Sequence, residues 1–161
     1  MIARWRPTLL PAFFLAHAFC IIWASTAQAK TTTIDDSGTQ ALEPSVGMRW
    51  KSAAPSRSGA DNLMVGTTTI RVRINVTPWL HHSGRIYLDL PAQQPGPITA
   101  SWTTQGRFLS GQVHSGNRAL VYAGPIATPF MEDVLKFQFS VDGTLMRRPF
   151  PVTFHFEMDE S

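Results

Sequence analysis

Apolar and polar residues alternate along much of the chain after residue 62, with the two-residue period of half-buried β-strands. The alternation is strongest near the C-terminus, where two series of large apolar side chains follow one another. The first series consists of Leu135, Phe137, Phe139 and Val141. The second series consists of Phe150, Val152, Phe154, Phe156 and Met158. Asp142-Gly143 lies between them and predicts a hairpin, because glycine supplies the positive φ of a tight turn. We expect the apolar face of this hairpin to be the nucleus of the core.

The same alternation predicts further strands upstream, with turn residues at every break. They are centred on Ile70–Val76, Ile86–Leu90, Ile98–Trp102, Phe108–Leu109, Val113 and Arg118–Ala123. No amphipathic helix longer than one turn is evident. This pattern is typical of an all-β, immunoglobulin-like antiparallel β-sandwich of about seven strands, spanning residues 62–161, with Trp102 facing inward. A β-barrel would satisfy the same alternation and is the alternative fold.

Residues 1–29 have the features of a secretory signal peptide. Arg4 and Arg6 give a basic start, an apolar run extends from Leu9 to Trp23, and Ala27-Gln28-Ala29 is a small-residue cleavage site before Lys30. Only polar residues follow the apolar run. We therefore expect an exported protein without a membrane anchor after cleavage, located in the periplasm or at the cell surface.

Residues 30–61 are polar, rich in Ser, Thr, Pro and Gly, and lack a sustained period. We expect a weakly structured N-terminal segment that acts as a tail or linker. Val46, Met48 and Trp50 alternate within it, so a short buried strand at that point is the exception that the pattern allows.

Loss of the signal peptide changes the charge and the cysteine content. The formal net charge of +3 falls to +1, because Arg4 and Arg6 are removed and no acidic residue is. Nucleic acid is therefore not an expected partner. Cys20, the one cysteine, also lies in the leader, so the mature chain forms no disulfide and has no thiolate nucleophile or cysteine metal site.

Aromatic and histidine residues supply the candidate ligand-binding site. By alternation, Trp79, on the connection after the first strand, and Tyr87, opposite the apolar face of the second, should point away from the core. The alternative for Trp79 is that its ring folds back over the open end of the sandwich. Outward aromatic rings stack on sugars or anchor protein interfaces. His81 and His82 lie on the same connection and join them as candidate ligand contacts. If the first two strands pair, Arg71, Arg73 and Arg85 share one polar face.

No catalytic or metal constellation emerges from the spacing. Asp89, Glu132 and Asp133 are the candidate carboxylates for glycoside cleavage, but nothing in the sequence brings two of them to the separation that this chemistry needs. His155 and Glu157 share a strand face, yet a structural zinc site requires three or four converging ligands. We therefore expect a non-enzymatic protein without a metal or a cofactor.

The signal peptide, the polar N-terminal extension, the small β-sandwich and the apolar final strand from Phe150 to Met158 together resemble the subunits of chaperone–usher fimbriae. The chain departs from that family at Glu160, where the penultimate residue is not aromatic, and in lacking a cysteine pair. The resemblance implies protein partners, namely fimbrial subunits, a chaperone or an usher. Partner contact would then use the final strand, through Phe150, Val152, Phe154, Phe156 and Met158.

The functional hypothesis is an exported, non-enzymatic fimbrial or adhesin-like component that works by protein–protein contact. The alternative is a periplasmic or secreted binding module for a glycan or a protein that uses its loop aromatics.

Overall fold

Ten β-strands are present in the computed structural model, which describes residues 30–52, 62–92, 96–146 and 148–160. The strands are β1 (Thr31–Thr33), β2 (Gln40–Ala41), β3 (Arg49–Trp50), β4 (Leu63–Asn75), β5 (Ser83–Leu90), β6 (Ile98–Thr103), β7 (Gly111–His114), β8 (Asn117–Pro125), β9 (Phe130–Asp142) and β10 (His155–Glu160). In the described part of the chain the only helical element is a single 3₁₀ turn at Thr77–Trp79. The prediction of an all-β chain is confirmed.

The strands form two antiparallel sheets that pack as a sandwich. The four-stranded sheet has the order β1-β10-β5-β8. The six-stranded sheet has the order β2-β4-β9-β6-β7, and β3 also pairs with β4. The predicted sandwich is therefore the observed architecture. Of its strands, β4 to β10 are the seven that lie after residue 62.

The pairing of β4 with β9 is the longest in the molecule and runs from Leu63 opposite Asp142 to Asn75 opposite Phe130. In β4, the even-numbered positions from residue 66 onward are buried. In β9, the odd-numbered positions are buried throughout. The positions between them largely face solvent. This is the two-residue period that the sequence predicts. The inner face of the β4–β9 ribbon forms the floor on which the rest of the core packs.

Aromatic rings fill the space between the sheets. Phe137 is 2% exposed and lies 5.8 Å from the Trp102 ring and 5.7 Å from the Phe154 ring, measured between centroids. Phe156, from the opposite sheet, contacts Phe154 edge to face at 6.0 Å. Complete burial of such side chains contributes about 1.5–3 kcal/mol each. The predicted inward position of Trp102 is confirmed, and its indole N–H donates to the Leu109 carbonyl at 2.8 Å.

The predicted C-terminal hairpin is wrong, because β9 and β10 belong to different sheets. The two apolar series face each other across the core instead of lying side by side. A turn does follow Asp142, and the N–H of Leu145 donates to its carbonyl at 3.1 Å. However, Gly143 does not have a positive φ. Glycine is needed there because a Cβ would collide with the Trp50 ring.

The prediction of a weakly structured N-terminal segment is wrong for residues 30–52. Strand β1 forms an edge of the four-stranded sheet by pairing with β10, and β2 and β3 pair with β4. Ile34, which follows β1 directly, is 2% exposed, and its N–H donates to the Phe156 carbonyl at 2.8 Å. An edge strand needs few apolar residues, so a polar sequence can complete both sheets. The remaining part of the predicted segment, residues 53–61, and the predicted signal peptide lie outside the described residues.

The short strand predicted at Phe108–Leu109 is also absent. That stretch is an irregular loop held by the inward-facing Asp133, whose carboxylate accepts hydrogen bonds from the Phe108 N–H at 2.9 Å and the Thr104 hydroxyl at 2.7 Å. The loop therefore obtains its order from this buried carboxylate, from the Trp102 indole and from one backbone bond, in which the Leu109 N–H donates to the Val121 carbonyl of β8 at 2.7 Å.

Replacing Phe137 by Ala tests the central position of its ring. We expect Phe137→Ala to lower the free energy of unfolding by about 3–5 kcal/mol, because it leaves a cavity that neighbouring rings cannot fill. Val134→Thr, on the outer face of the same strand at a position 44% exposed, should change it by less than about 0.5 kcal/mol. Urea unfolding measures both, and equal effects would contradict the assignment of the two faces.

Candidate binding cleft between the sheets

The two sheets differ in length, and this difference creates a cleft. Strands β4 and β9 have 13 residues each, whereas β5 has 8 and β10 has 6. One end of the inner face of the six-stranded sheet is therefore not covered by the other sheet. Two irregular segments lie over it. We call residues 42–48, between β2 and β3, the strap, and residues 148–154, before β10, the arm.

The cleft between the strap and the arm has a volume of about 480 Å³. Its floor is the inner face of the six-stranded sheet, formed by Thr68, Ile70, Ile98, Phe139 and Val141. Val46 and Met48 of the strap form one wall, and Phe150, Val152 and Phe154 of the arm form the other. Small-molecule and side-chain pockets in proteins typically measure about 300–1,000 Å³ and are mainly apolar. The size and the lining are those of a site for an apolar group.

The strap is held in place by a glycine and a carboxylate. A Cβ at Gly66 would lie 2.5 Å from the Met48 sulfur and 2.6 Å from a Val46 methyl group, so glycine allows these side chains to fold over β4. At the mouth of the cleft, the Glu43 carboxylate accepts hydrogen bonds from the Thr68 hydroxyl at 2.5 Å and the Thr69 N–H at 3.0 Å. These two donors, the hydroxyl first, hold the pKa of Glu43 below its usual value. The mouth therefore carries a negative charge at neutral pH.

The arm contains three of the five residues predicted to contact a partner strand. Phe150, Val152 and Phe154 are half-buried along the cleft. The final strand begins only at His155, because Pro149 and Pro151 lack the N–H groups that a continuous ladder requires. The arm is thus adjacent to β10 in the chain without being part of the sheet.

The other two predicted contacts, Phe156 and Met158, are completely buried in the core of the domain itself. Their strand, β10, lies between β1 and β5 and is not an edge. The expectation that the final strand presents these two side chains to a partner is therefore wrong for the observed arrangement. The edge of β10 that we expected to be free for a partner is paired with the N-terminal strand β1.

Of the two positions expected for Trp79, the outward one is wrong and the ring is folded back against the domain. Its ring is 8% exposed, and its indole N–H donates to the Glu160 carboxylate at 2.9 Å. His81 and His82 are exposed on the same connection, which is fixed by hydrogen bonds between their backbone and that of Ile126. Tyr87 is half-exposed on the outer face of the four-stranded sheet. The Arg118 guanidinium lies 4.3 Å from the centre of the Tyr87 ring, a cation–π contact.

The candidate carboxylates for glycoside cleavage do not converge. Asp89 lies on the four-stranded sheet and Glu132 faces outward from the six-stranded sheet, while Asp133 faces inward. Glu132 pairs with Arg73 at 3.1 Å. The three arginines considered together in the sequence also separate, because β4 and β5 lie in different sheets and do not pair. Arg85 is thus on the opposite side of the molecule from Arg71 and Arg73.

The outer face of the four-stranded sheet carries a charged cluster that the sequence analysis did not identify. Arg118 on β8 donates to both oxygens of Asp159 on β10, at 2.9 and 2.8 Å, and to Glu157 at 3.3 Å. Asp159 also accepts from the Thr31 hydroxyl at 2.7 Å. The Arg118 hydrogen bonds are the main reason that the pKa of Asp159 lies below its usual value, against the opposing effect of burial. These bonds connect three strands: β1, β8 and β10.

No protein-family model, curated protein or solved structure matches this chain. Among the described residues, no helix has the length and the apolar content needed to cross a membrane.

Replacing Arg118 tests the charged cluster. We expect Arg118→Gln to lower the free energy of unfolding by about 1–2 kcal/mol at pH 7, since its bonds to Asp159 are charged but only partly shielded from water. The pKa of Asp159 is lower in the folded state than in the unfolded state. Its stabilising effect is therefore present above about pH 4 and is lost as the pH falls through the folded-state pKa. The difference between variant and wild type should shrink towards pH 2.

Arg73→Gln is the matched control, because its pair with Glu132 is about half exposed, at 49% and 60%. We expect Arg73→Gln to lower the free energy of unfolding by less than about 1 kcal/mol. Urea unfolding across pH measures both variants. A loss for Arg118→Gln that is the same at pH 7 and pH 2 would show that the residue acts by packing on Tyr87 and not through its charge.

Proposed function

We propose that this chain is an exported, non-enzymatic binding domain that takes up an extended apolar segment of a partner protein in the cleft between the strap and the arm. The observation that carries the proposal is the apolar cleft between the strap and the arm. Its floor residues Ile70, Ile98 and Phe139 are buried beneath the two segments. The wall residues Met48, Phe150 and Val152, in contrast, are half-buried and line an open cleft. An open apolar cleft of this kind is a common feature of binding sites.

The position of the cleft favours an extended peptide. It lies where the four-stranded sheet would continue if β5 and β10 were as long as β4 and β9. A partner segment in that position would face the same inner surface that β10 faces nearer the centre of the molecule. Alternating apolar side chains would then enter the cleft, in the manner of strand addition.

Protein–protein contact remains the proposed mode of action, but the roles differ from those that the sequence suggests: the partner, and not this chain, supplies the extended segment. The final strand is paired on both sides, by β1 and β5, and its side chains Phe156 and Met158 are internal. The domain is therefore proposed to receive an apolar segment and not to donate its own last strand. A fimbrial or adhesin-like role is compatible with either direction.

The alternative of glycan binding by loop aromatics receives less support. Trp79 is buried and its only polar atom is already bonded to Glu160. The cleft itself is lined mainly by aliphatic and phenyl groups, which do not satisfy sugar hydroxyls. Protein is accordingly the proposed partner.

Selection of linear peptides by phage display on the mature domain tests the proposal. We expect the enriched peptides to carry apolar residues at alternate positions. Val152→Trp places an indole in the cleft wall and should weaken the binding of a selected peptide by about tenfold or more, measured by fluorescence polarisation. Amide exchange of residues 148–154 should slow on binding, because an added strand would lie beside the arm.

Val134→Trp is the matched control, since the same substitution on the outer face of β9 adds equal area away from the cleft. It should leave peptide binding unchanged, and urea unfolding should show that both variants fold. Selection without an alternating apolar consensus would contradict the proposal. Equal affinity of the selected peptide for the wild type and Val152→Trp would also contradict it.

Export is tested separately. When the full chain is expressed with a secretion system, we expect mass spectrometry of the exported fraction to find Lys30 as the first residue, because Ala27-Gln28-Ala29 fits signal-peptide cleavage. Ala29→Arg should block cleavage and retain the protein with the membrane fraction. Unprocessed, soluble protein in the cytoplasm would contradict export without bearing on the cleft.

A further inference from the structure

A second site lies on the outer face of the four-stranded sheet, on the opposite side from its core. Asp89 on β5 is directly opposite His155 on β10, and Glu157 follows two residues later on the same face of β10. The His155 Nε2 atom is 3.1 Å from an Asp89 carboxylate oxygen and 3.8 Å from a Glu157 oxygen. One potential ligand atom from each residue lies within 4.8 Å of the others.

These separations suit a single divalent ion. Zinc binds imidazole nitrogen and carboxylate oxygen at about 2.0–2.2 Å, which places neighbouring ligand atoms about 3–3.5 Å apart. The observed distances of 3.1 and 3.8 Å approach that range before any side chain adjusts. The three side chains are 35%, 22% and 20% exposed, in the order His155, Asp89 and Glu157. The site is therefore open enough for water to complete the coordination.

The surrounding charges favour a cation. Arg118 contacts the other oxygen of Glu157 at 3.3 Å, so the oxygen nearer His155 is a different atom. The site itself supplies two carboxylates, those of Asp89 and Glu157, and these attract a divalent ion.

We propose that Asp89, His155 and Glu157 form a binding site for a divalent transition metal, with zinc as the best match to one imidazole and two carboxylates. The mixed nitrogen and oxygen donor set is typical of zinc and related ions and not of calcium, which prefers oxygen ligands alone. Such an ion would join β5 to β10 at His155, the residue immediately after the arm. It would therefore fix the end of the arm that borders the cleft.

Zinc binding to the mature domain tests this proposal. Isothermal titration calorimetry should show one Zn²⁺ per chain, and Co²⁺ should give a visible absorption band when bound at the same site. Zinc should also raise Tm, since it binds the folded state, in which the three residues converge. His155→Gln and Asp89→Asn should each weaken Zn²⁺ binding by at least about tenfold.

The other histidines supply the controls. His114 is on the six-stranded sheet and bonds the Thr99 hydroxyl at 2.9 Å, whereas His81 and His82 lie on the β4–β5 connection. His114→Gln and the double variant His81→Gln, His82→Gln should bind Zn²⁺ like the wild type. Circular dichroism and Tm without metal should show that every variant is folded.

Absence of stoichiometric Zn²⁺ binding to the wild type would overturn the proposal. It would also be overturned if folded His155→Gln and Asp89→Asn bound Zn²⁺ like the wild type. Loss of binding in the His81 and His82 double variant alone would assign the ion to that connection instead, which again contradicts the proposed site. None of these results would affect the peptide proposal, because the cleft lies on the inner face of the six-stranded sheet and the metal site on the outer face of the four-stranded sheet.

Discussion

The pairing of β4 with β9 is the interaction on which the rest of the structure depends. Its thirteen consecutive residue pairs create an inner face longer than the strands of the opposing sheet. One end of that face is closed by β5 and β10, whose Ile86, Leu88 and Phe156 are completely or almost completely buried. Exposed apolar area is unfavourable in water, so the other end requires a different cover. The strap and the arm supply it and leave a cleft between them.

This arrangement links the least regular segments to the proposed function. The strap is held by the Glu43 carboxylate and fits over Gly66, and the arm is kept out of the ladder by Pro149 and Pro151. Neither segment belongs to a β-strand. Elements with few backbone ladder bonds open at a lower free-energy cost than central strands. The strap can therefore open at a lower cost than the β4–β9 ribbon, whereas the arm is anchored at Phe154 by its ring contacts with Phe137 and Phe156.

The sequence predicted which residues face inward much better than it predicted which strands are neighbours. Alternation gives the buried side of a strand, as Phe137 and Trp102 show, but it is the same whichever sheet the strand joins. The prediction of a hairpin at Asp142-Gly143 is wrong for this reason. The edge strand at Thr31–Thr33 was missed because pairing there depends on backbone bonds, on the Thr31 hydroxyl and on a single apolar residue, Ile34. The cleft and the Asp89–His155 pair depend on strand length and register, which no local pattern specifies, although Pro149 and Pro151 were a signal that the last strand starts late.

Thiol accessibility gives the most direct measurement of the uneven cover over the inner face. Ile70 and Val72 lie two residues apart on the same face of β4; Ile70 is 5% exposed and borders the cleft, whereas Val72 is completely buried and does not. Residues 30–161 contain no cysteine, so Ile70→Cys and Val72→Cys each introduce a single thiol. In native buffer, N-ethylmaleimide should modify the thiol at position 70 faster than the thiol at position 72, because opening of the strap or the arm exposes position 70 whereas position 72 requires global unfolding. Equal protection of both positions would show that the inner face is closed along its whole length and that no cleft exists.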